Sequence, residues 1–263
     1  MKSSSAKRRL TRKAQAGFIA AIRLEREKVS DFGEYPFCIP AVRHLQRLEL
    51  HPGVTFFIGE NGTGKSTLLE ALAVKLRFNP EGGSRNFDFA TKETHSALHE
   101  YLVVERNPGH FTDGYFLRAE SFYNVATEID HLGLEYGYGQ KSLHAQSHGE
   151  AFLSLLLNRF QGYGVYLLDE PEAALSPQRQ LSVLTLLHRL VYHRSQLVIT
   201  THSPILLAYP HARIYSFSET GIVPVNFTDT EHYQITKDFL NRHERMIELL
   251  LTEEDQDLKS KER

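Results

Sequence analysis

The octapeptide Gly59-Glu60-Asn61-Gly62-Thr63-Gly64-Lys65-Ser66 constrains this chain more than any other stretch. It matches G-x-x-x-x-G-K-[ST], and its flanks matter as much as its letters. Val54-Thr55-Phe56-Phe57-Ile58 precedes it as a run of buried-strand length. Residues 66–76 follow, with Leu68, Leu69, Leu72 and Leu76 at helical spacing. Glycines in such a turn let successive backbone N–H groups curl around phosphate oxygens, and the helix N-terminus adds roughly half a positive charge. Gly59, Glu60, Asn61, Gly62, Thr63 and Gly64 would form the cradle. Lys65 would reach β- and γ-phosphates, Ser66 would ligate Mg²⁺, and Thr67 would donate to an α-phosphate. The plain alternative is a glycine turn that only caps a helix.

Two further strand ends carry matching chemistry. Val165-Tyr166-Leu167-Leu168 leads into Asp169 and Glu170, and Pro171 stops the strand. In a parallel sheet that end lies near the phosphate loop, where ligands collect. Asp169 would hold Mg²⁺ through water and Glu170 would polarise an attacking water as a general base. A solvated acidic turn is the alternative. Residues 197–201 form another buried strand ending at His202-Ser203-Pro204, which would bring His202 to a γ-phosphate.

The remaining pattern is an alternation of strands and helices, which predicts an α/β fold with a mainly parallel core sheet, an antiparallel portion and a small helical lid insertion. Strands are expected at 18–24, 45–50, 101–105 and 115–118, the last two flanking Asn107-Pro108-Gly109. Helices are expected at 149–160, with Phe152, Leu153, Leu156, Leu157 and Phe160 inward, and from Pro177, with Ser176 as N-cap and Leu181, Leu184 and Leu187 inward. Residues 213–217 and 222–227 read as a hairpin, and 231–251 as a last helix that either packs on the core or serves a partner. Residues 79–85 form a breaker-rich loop, and 133–139 a glycine- and tyrosine-rich one.

Of the 263 residues, 41% are hydrophobic and 24% charged, which excludes a largely disordered chain. The 30 Lys and Arg nearly cancel the 32 Asp and Glu, so bulk charge makes no case for nucleic acid. The lone Cys38 cannot form an internal disulfide and favours a reducing, cytoplasmic setting. No apolar run approaches the roughly 18 residues of a membrane span. Lys2, Lys7, Arg8, Arg9, Arg12 and Lys13 make a basic start, read either as a solvated tail over 1–16 or as an arm for phosphates of DNA or an acidic partner. Glu253, Glu254, Asp255 and Asp257 offset it near the other end.

Together these residues resemble the ABC-type P-loop ATPases, most of all the soluble branch of SMC and RecF-like proteins and small stand-alone AAA relatives. The resemblance covers about 17–227, leaving 228–263 as a C-terminal helix and charged tail, and about 79–148 as the lid. Residues 59–67 look like the Walker A motif, 167–172 like Walker B and 200–204 like the switch histidine. The family's signature, usually Leu-Ser-Gly-Gly-Gln, falls where Gln146-Ser147-His148-Gly149-Glu150 stands, 22 residues ahead of Asp169. Ser147 and Gly149 fit; His148 and Glu150 depart. By resemblance, this segment contacts ATP bound to a second subunit, although an ordinary N-capped helix would look the same. Ala174-Leu175-Ser176-Pro177 sits at the D-loop, and Glu120 is a candidate for the Q-loop position and a third contact to the metal. Tyr35 or Phe37 could stack adenine, though core packing explains them as well.

The resemblance therefore implies a Mg²⁺-dependent ATPase that closes into a head-to-tail homodimer around ATP and reopens on hydrolysis. The 82 residues from Lys65 to Ser147 fit a lid but not an SMC coiled coil, and no nuclease domain is expected after Phe227. Output is then expected to pass through a protein or DNA effector, with repair or defence as settings and no direct membrane insertion. Two rivals remain: the ATP-binding subunit of a membrane transporter, and an ATP-gated binding module with little turnover.

Overall fold

The computed structural model describes residues 17–80, 82–84, 96–131 and 147–261. Contacts divide the chain into one unit of residues 1–224 and a second of 225–263. The basic start, the 133–139 loop and Gln146 lie outside the described residues.

In the first unit, β1 (Ile19–Leu24) and β2 (Arg47–Glu49) precede β3 (Val54–Gly59) and helix α1 (Lys65–Lys75). Strands β4 (Leu102–Arg106) and β5 (Asp113–Arg118) follow, then α2 (Phe122–His131) and α3 (His148–Arg159). Next come β6 (Gly164–Asp169), α4 (Pro177–Tyr192), β7 (Gln196–Thr200), β8 (Arg213–Ser218) and β9 (Gly221–Val225). Two sheets result: β2-β1-β4, whose pairings are antiparallel, and a six-stranded sheet in the order β5-β6-β7-β3-β8-β9. Pairings from β5 across to β8 are all parallel.

The apolar runs explain the middle of that sheet. Every residue of β6 and β7 is buried, as are the first five of β3, because helices cover both faces of a parallel sheet. Helix α1 buries Leu68, Leu69, Ala71, Leu72 and Ala73, a face about half its circumference wide rather than a narrow stripe. It meets Phe57, Phe116, Leu167 and Val198 there. Thr200 is in register with Phe57 on one side and with Asp169 on the other. The carboxyl ends of β3, β7 and β6 are thus level, and everything that follows them emerges at one edge.

Gln196 joins the two sheets. Its buried amide donates to Ile19 O (2.8 Å) and His51 O (3.0 Å) and accepts from Ile19 N (2.8 Å). Gly17 has no room for a side chain, since a Cβ would lie 2.7 Å from that amide.

Several expectations change. The stretch 79–148 was expected as a lid, yet its described part supplies β4 to the antiparallel sheet and β5 to the parallel one. The strands around Asn107-Pro108-Gly109 consequently diverge into different sheets. Leu157 (41% exposed) and Leu181 (49%) face outward; Leu155 on α3, and Val183, Leu186 and Leu190 on α4, fill the interior instead. A phase error of one residue, or 100° of helix, is enough to produce both misreadings.

The second unit is a 3-10 turn, Phe227–Asp229, followed by α5 (Glu231–Lys261). Thr230 caps the helix, its hydroxyl donating to Phe227 O and accepting from Tyr233 N. Arg242 leaves helical geometry (φ −139°) and pairs with Asp238. Within this unit Ile235, Leu240, Leu249, Leu250 and Leu251 are exposed. Among the described residues no helix is long and apolar enough to cross a membrane.

Candidate active site

The phosphate-type loop between β3 and α1 takes its shape from three glycines with positive φ: Gly59 (134°), Gly62 (83°) and Gly64 (101°). Gly59 and Gly64 are also sterically required. A Cβ on Gly59 would meet Phe217 O at 2.2 Å, and one on Gly64 would meet Ile39 Cγ2 at 2.6 Å. Thr63 closes the turn on Glu60 O through both its backbone N and its hydroxyl. Lys65 is 4% exposed and its ammonium donates to Gly59 O (2.7 Å) and Glu60 O (2.8 Å). Burial pushes its pKa down, against the pull of the Glu170, Asp169 and Glu172 carboxylates. The cation lies folded over the carbonyls of the loop whose amides would receive phosphate.

Ser66 opens α1 and reaches the end of β6, where its hydroxyl donates to Asp169 Oδ1 (3.0 Å). Thr200, at the end of β7, donates to the same oxygen (2.5 Å). Two neighbouring strand ends and the first turn of α1 are tied together through one carboxylate oxygen. A hydroxyl and a carboxylate this close, both hard oxygen donors, form a set that fits Mg²⁺. Among the described residues no cluster of three or more His, Cys, Asp or Glu could hold a metal alone.

Glu170 adopts left-handed geometry (φ 49°, ψ 53°), unusual outside glycine. Its amide donates to Thr200 O (3.2 Å) and Thr200 Oγ1 (3.0 Å), so the register with β7 imposes the conformation. That turn throws the carboxylate forward, where Oε1 lies 3.5 Å from His202 Nε2. Both side chains are about a third exposed, although His202 Nε2 itself is buried. His202 is held by its backbone: its N–H donates to Glu172 Oε1 at 2.5 Å. Burial pushes the Glu172 pKa up; the Glu170 charge adds to that while hydrogen bonds from His202 and Thr201 oppose it. Glu172 was visible in the Walker B string but went unassigned, since its work is done on a loop 30 residues away.

A cleft of about 190 Å³ opens beside these groups, lined by Ser66, Arg118, Glu120, Asp169, Glu170 and Ala174, among others. Glu120 stands in this wall, its side chain 88% exposed and 3.6 Å from the Arg118 guanidinium. Arg118 itself escaped the sequence reading, which took it only as a strand end.

The signature-like segment is seated against Ala174, a residue of the cleft wall. Ser147 caps α3, its amide and hydroxyl both donating to Glu150 Oε2 (3.2 and 2.7 Å). Glu150 also pairs with Arg179 (3.2 Å), and the Ser147 hydrogen bonds, ahead of Arg179, hold its pKa below the usual carboxylate range. A glutamine could also close this capping box, so the local reason for the carboxylate is its ion pair with Arg179. Gly149 is required, because a Cβ would lie 2.4 Å from Arg179 Nη1 and 2.7 Å from Ala174 O. Among the described residues no hydrogen bond joins Ser147 or Gly149 to the loop 59–67. Ser176 caps α4 with Pro177 in its first turn. Of the adenine candidates, Phe37 is buried against Tyr101 (4.7 Å between ring centres), whereas Tyr35 is 67% exposed.

Comparison with known proteins adds the following. Residues 134–208 match the family described as "AAA domain, putative AbiEii toxin, Type IV TA system", and 28–114 match a second described as "AAA domain". The energy-coupling factor transporter ATP-binding protein EcfA2 of Methanospirillum hungatei is 25% identical over 250 residues, covering 86% of this chain and 61% of that protein. The ABC transporter G family member STR2 of Medicago truncatula is 26% identical over 171 residues, covering 57% and 24%. The chain therefore spans less than two thirds of these relatives. The SMC head domain from Thermotoga maritima superposes with a TM-score of 0.46 at 14% identity, covering 80% of this chain and 99% of that domain.

A phosphate-type loop, a carboxylate pair and a histidine on three level strand ends thus accompany the AAA-domain matches over residues 28–114 and 134–208.

Proposed function

We propose that this chain hydrolyses Mg·ATP and uses the cycle to close and reopen a head-to-tail homodimer. The observation that carries the reading is that Lys65, Ser66, Asp169, Glu170 and His202 share one sheet edge, while Gly149 packs against Ala174 and Arg179 and no hydrogen bond among the described residues joins Ser147 or Gly149 to the loop 59–67. A second copy would bring its α3 N-terminus, with free amide donors, to the γ-phosphate.

In this reading the amides of Gly59–Ser66 take the phosphate oxygens and Lys65 exchanges the two carbonyls for the β- and γ-phosphates. Ser66 would hold Mg²⁺ and Asp169 would hold it through water, and the ion would stabilise charge on those phosphates. Glu170 orients the water and accepts its proton as the bond to the γ-phosphorus forms and the bond to the leaving oxygen breaks. His202, positioned through Glu172, senses the γ-phosphate. Glu120 remains the candidate third contact near the metal. Closure is favoured because ATP binds the closed form through both subunits.

The effector is then a partner protein or DNA, and the toxin–antitoxin wording of the matched family favours a defence setting. The transporter wording of EcfA2 supports a second reading, in which the chain drives a membrane partner. Sizing Glu170→Gln with and without Mg·ATP, and again with DNA, tests the cycle. An ATP-dependent doubling of mass is expected; a monomer under every condition would overturn the dimer.

A further inference from the structure

We propose that Arg118 is a built-in cation that makes binding of a divalent metal conditional on nucleotide, by neutralising the Asp169 carboxylate while the site awaits ATP. The inference rests on the Mg·ATP reading and concerns a residue which that reading leaves without a role. Arg118 ends β5 directly in register with Asp169, the end of β6. Its Nε lies 3.5 Å from Asp169 Oδ2, the oxygen left over when Ser66 and Thr200 take Oδ1. Its Nη1 is anchored on Glu70 Oε2 (2.7 Å), one turn beyond Ser66 on α1, and its Nη2 faces Glu120 at 3.6 Å.

The arrangement divides the wall of the cleft by charge. Glu120, Asp169 and Glu170 are acids, and Arg118 is the cation among the described residues that line it. Lys65 is turned to the loop carbonyls. A carboxylate beside a hydroxyl attracts a divalent ion, although too few protein ligands converge here to hold one firmly. A guanidinium within 4 Å of the ligating carboxylate opposes that entry, most strongly where water is partly excluded. The β- and γ-phosphate oxygens add enough negative charge to reverse the balance. Because Glu70 holds the guanidinium from the other side, Arg118 keeps a partner when the ion takes over Asp169.

Mn²⁺ binding followed by electron paramagnetic resonance tests this in wild type, Arg118→Met and Arg118→Lys, with no nucleotide and with saturating non-hydrolysable ATP analogue. Without nucleotide, Arg118→Met is expected to bind Mn²⁺ about tenfold tighter than wild type, allowing for partial exposure. Arg118→Lys, which keeps the charge, is expected to stay near wild type. With analogue present all three bind. Unchanged or weaker nucleotide-free binding in Arg118→Met overturns the proposal, as does a Lys variant that follows Met. Arg118→Gln gives the same reading should the Met variant not fold. Wild type that binds no Mn²⁺ even with analogue removes the Mg·ATP reading itself, a result distinct from either.

Discussion

Glu170 and His202 meet across the ends of β6 and β7, their side chains 3.5 Å apart, because Thr200 fixes the backbone of one and Glu172 the backbone of the other. Neither contact is local in sequence. Removing the proposed base is expected to lower turnover by about 10²–10⁴-fold while ATP still binds. Steady-state phosphate release and nucleotide binding on Glu170→Gln check this, and wild-type turnover would refute the assignment. Lys65→Ala should lose both properties.

Glu172 offers a pH prediction. Burial raises its pKa in the folded protein above the unfolded value. The folded state therefore holds the proton more tightly, and stability falls as pH rises from the ordinary carboxylate range through the folded pKa. Glu172→Gln keeps an acceptor for the His202 N–H but carries no buried charge. It should melt at or above wild type near neutral pH, with the difference vanishing in acid. Scanning calorimetry across that window decides it, and a variant that melts lower at neutral pH would show that the charge stabilises.

Gly149 tests the signature segment. The Gly149→Ala methyl would press on Arg179 and the Ala174 carbonyl, tilting the first turn of α3 away from its seat. The expected phenotype is a folded protein with normal ATP affinity that no longer doubles in mass with Mg·ATP. Sizing and nucleotide binding report the two properties separately.

Gln196 tests the join between the sheets. Truncation to Ala strips partners from the buried Ile19 N–H and C=O and from the partly buried His51 C=O. A loss of about 1–3 kcal/mol is expected by analogy with other buried unsatisfied groups, measured by urea unfolding. A change within error would mean that the antiparallel sheet is held by its apolar contacts alone.

The phosphate-type loop was legible because its residues are consecutive: three glycines of positive φ, Lys65 and Ser66 follow one another between β3 and α1. Strands β3, β6 and β7 were legible because residues buried on both faces are mostly apolar, and the end of such a run marks a sheet edge. Helix faces were less so, as Leu157 and Leu181 demonstrate, since neighbouring helical residues differ by 100° and only the partner surface selects among them.

By itself, the sequence determined which residues could meet phosphate and which strands would be buried, because both properties reside in neighbours along the chain. Only the tertiary structure decided that β7 lies between β3 and β6, that Asp169 serves Ser66 and Thr200 on one oxygen and faces Arg118 on the other, and that Glu172 holds the His202 loop. It also gave Glu150 its partners, a serine cap and Arg179. Charges and hydrogen bonds act over a few ångströms of space, and strand order brings within that range residues separated by tens of positions in the chain.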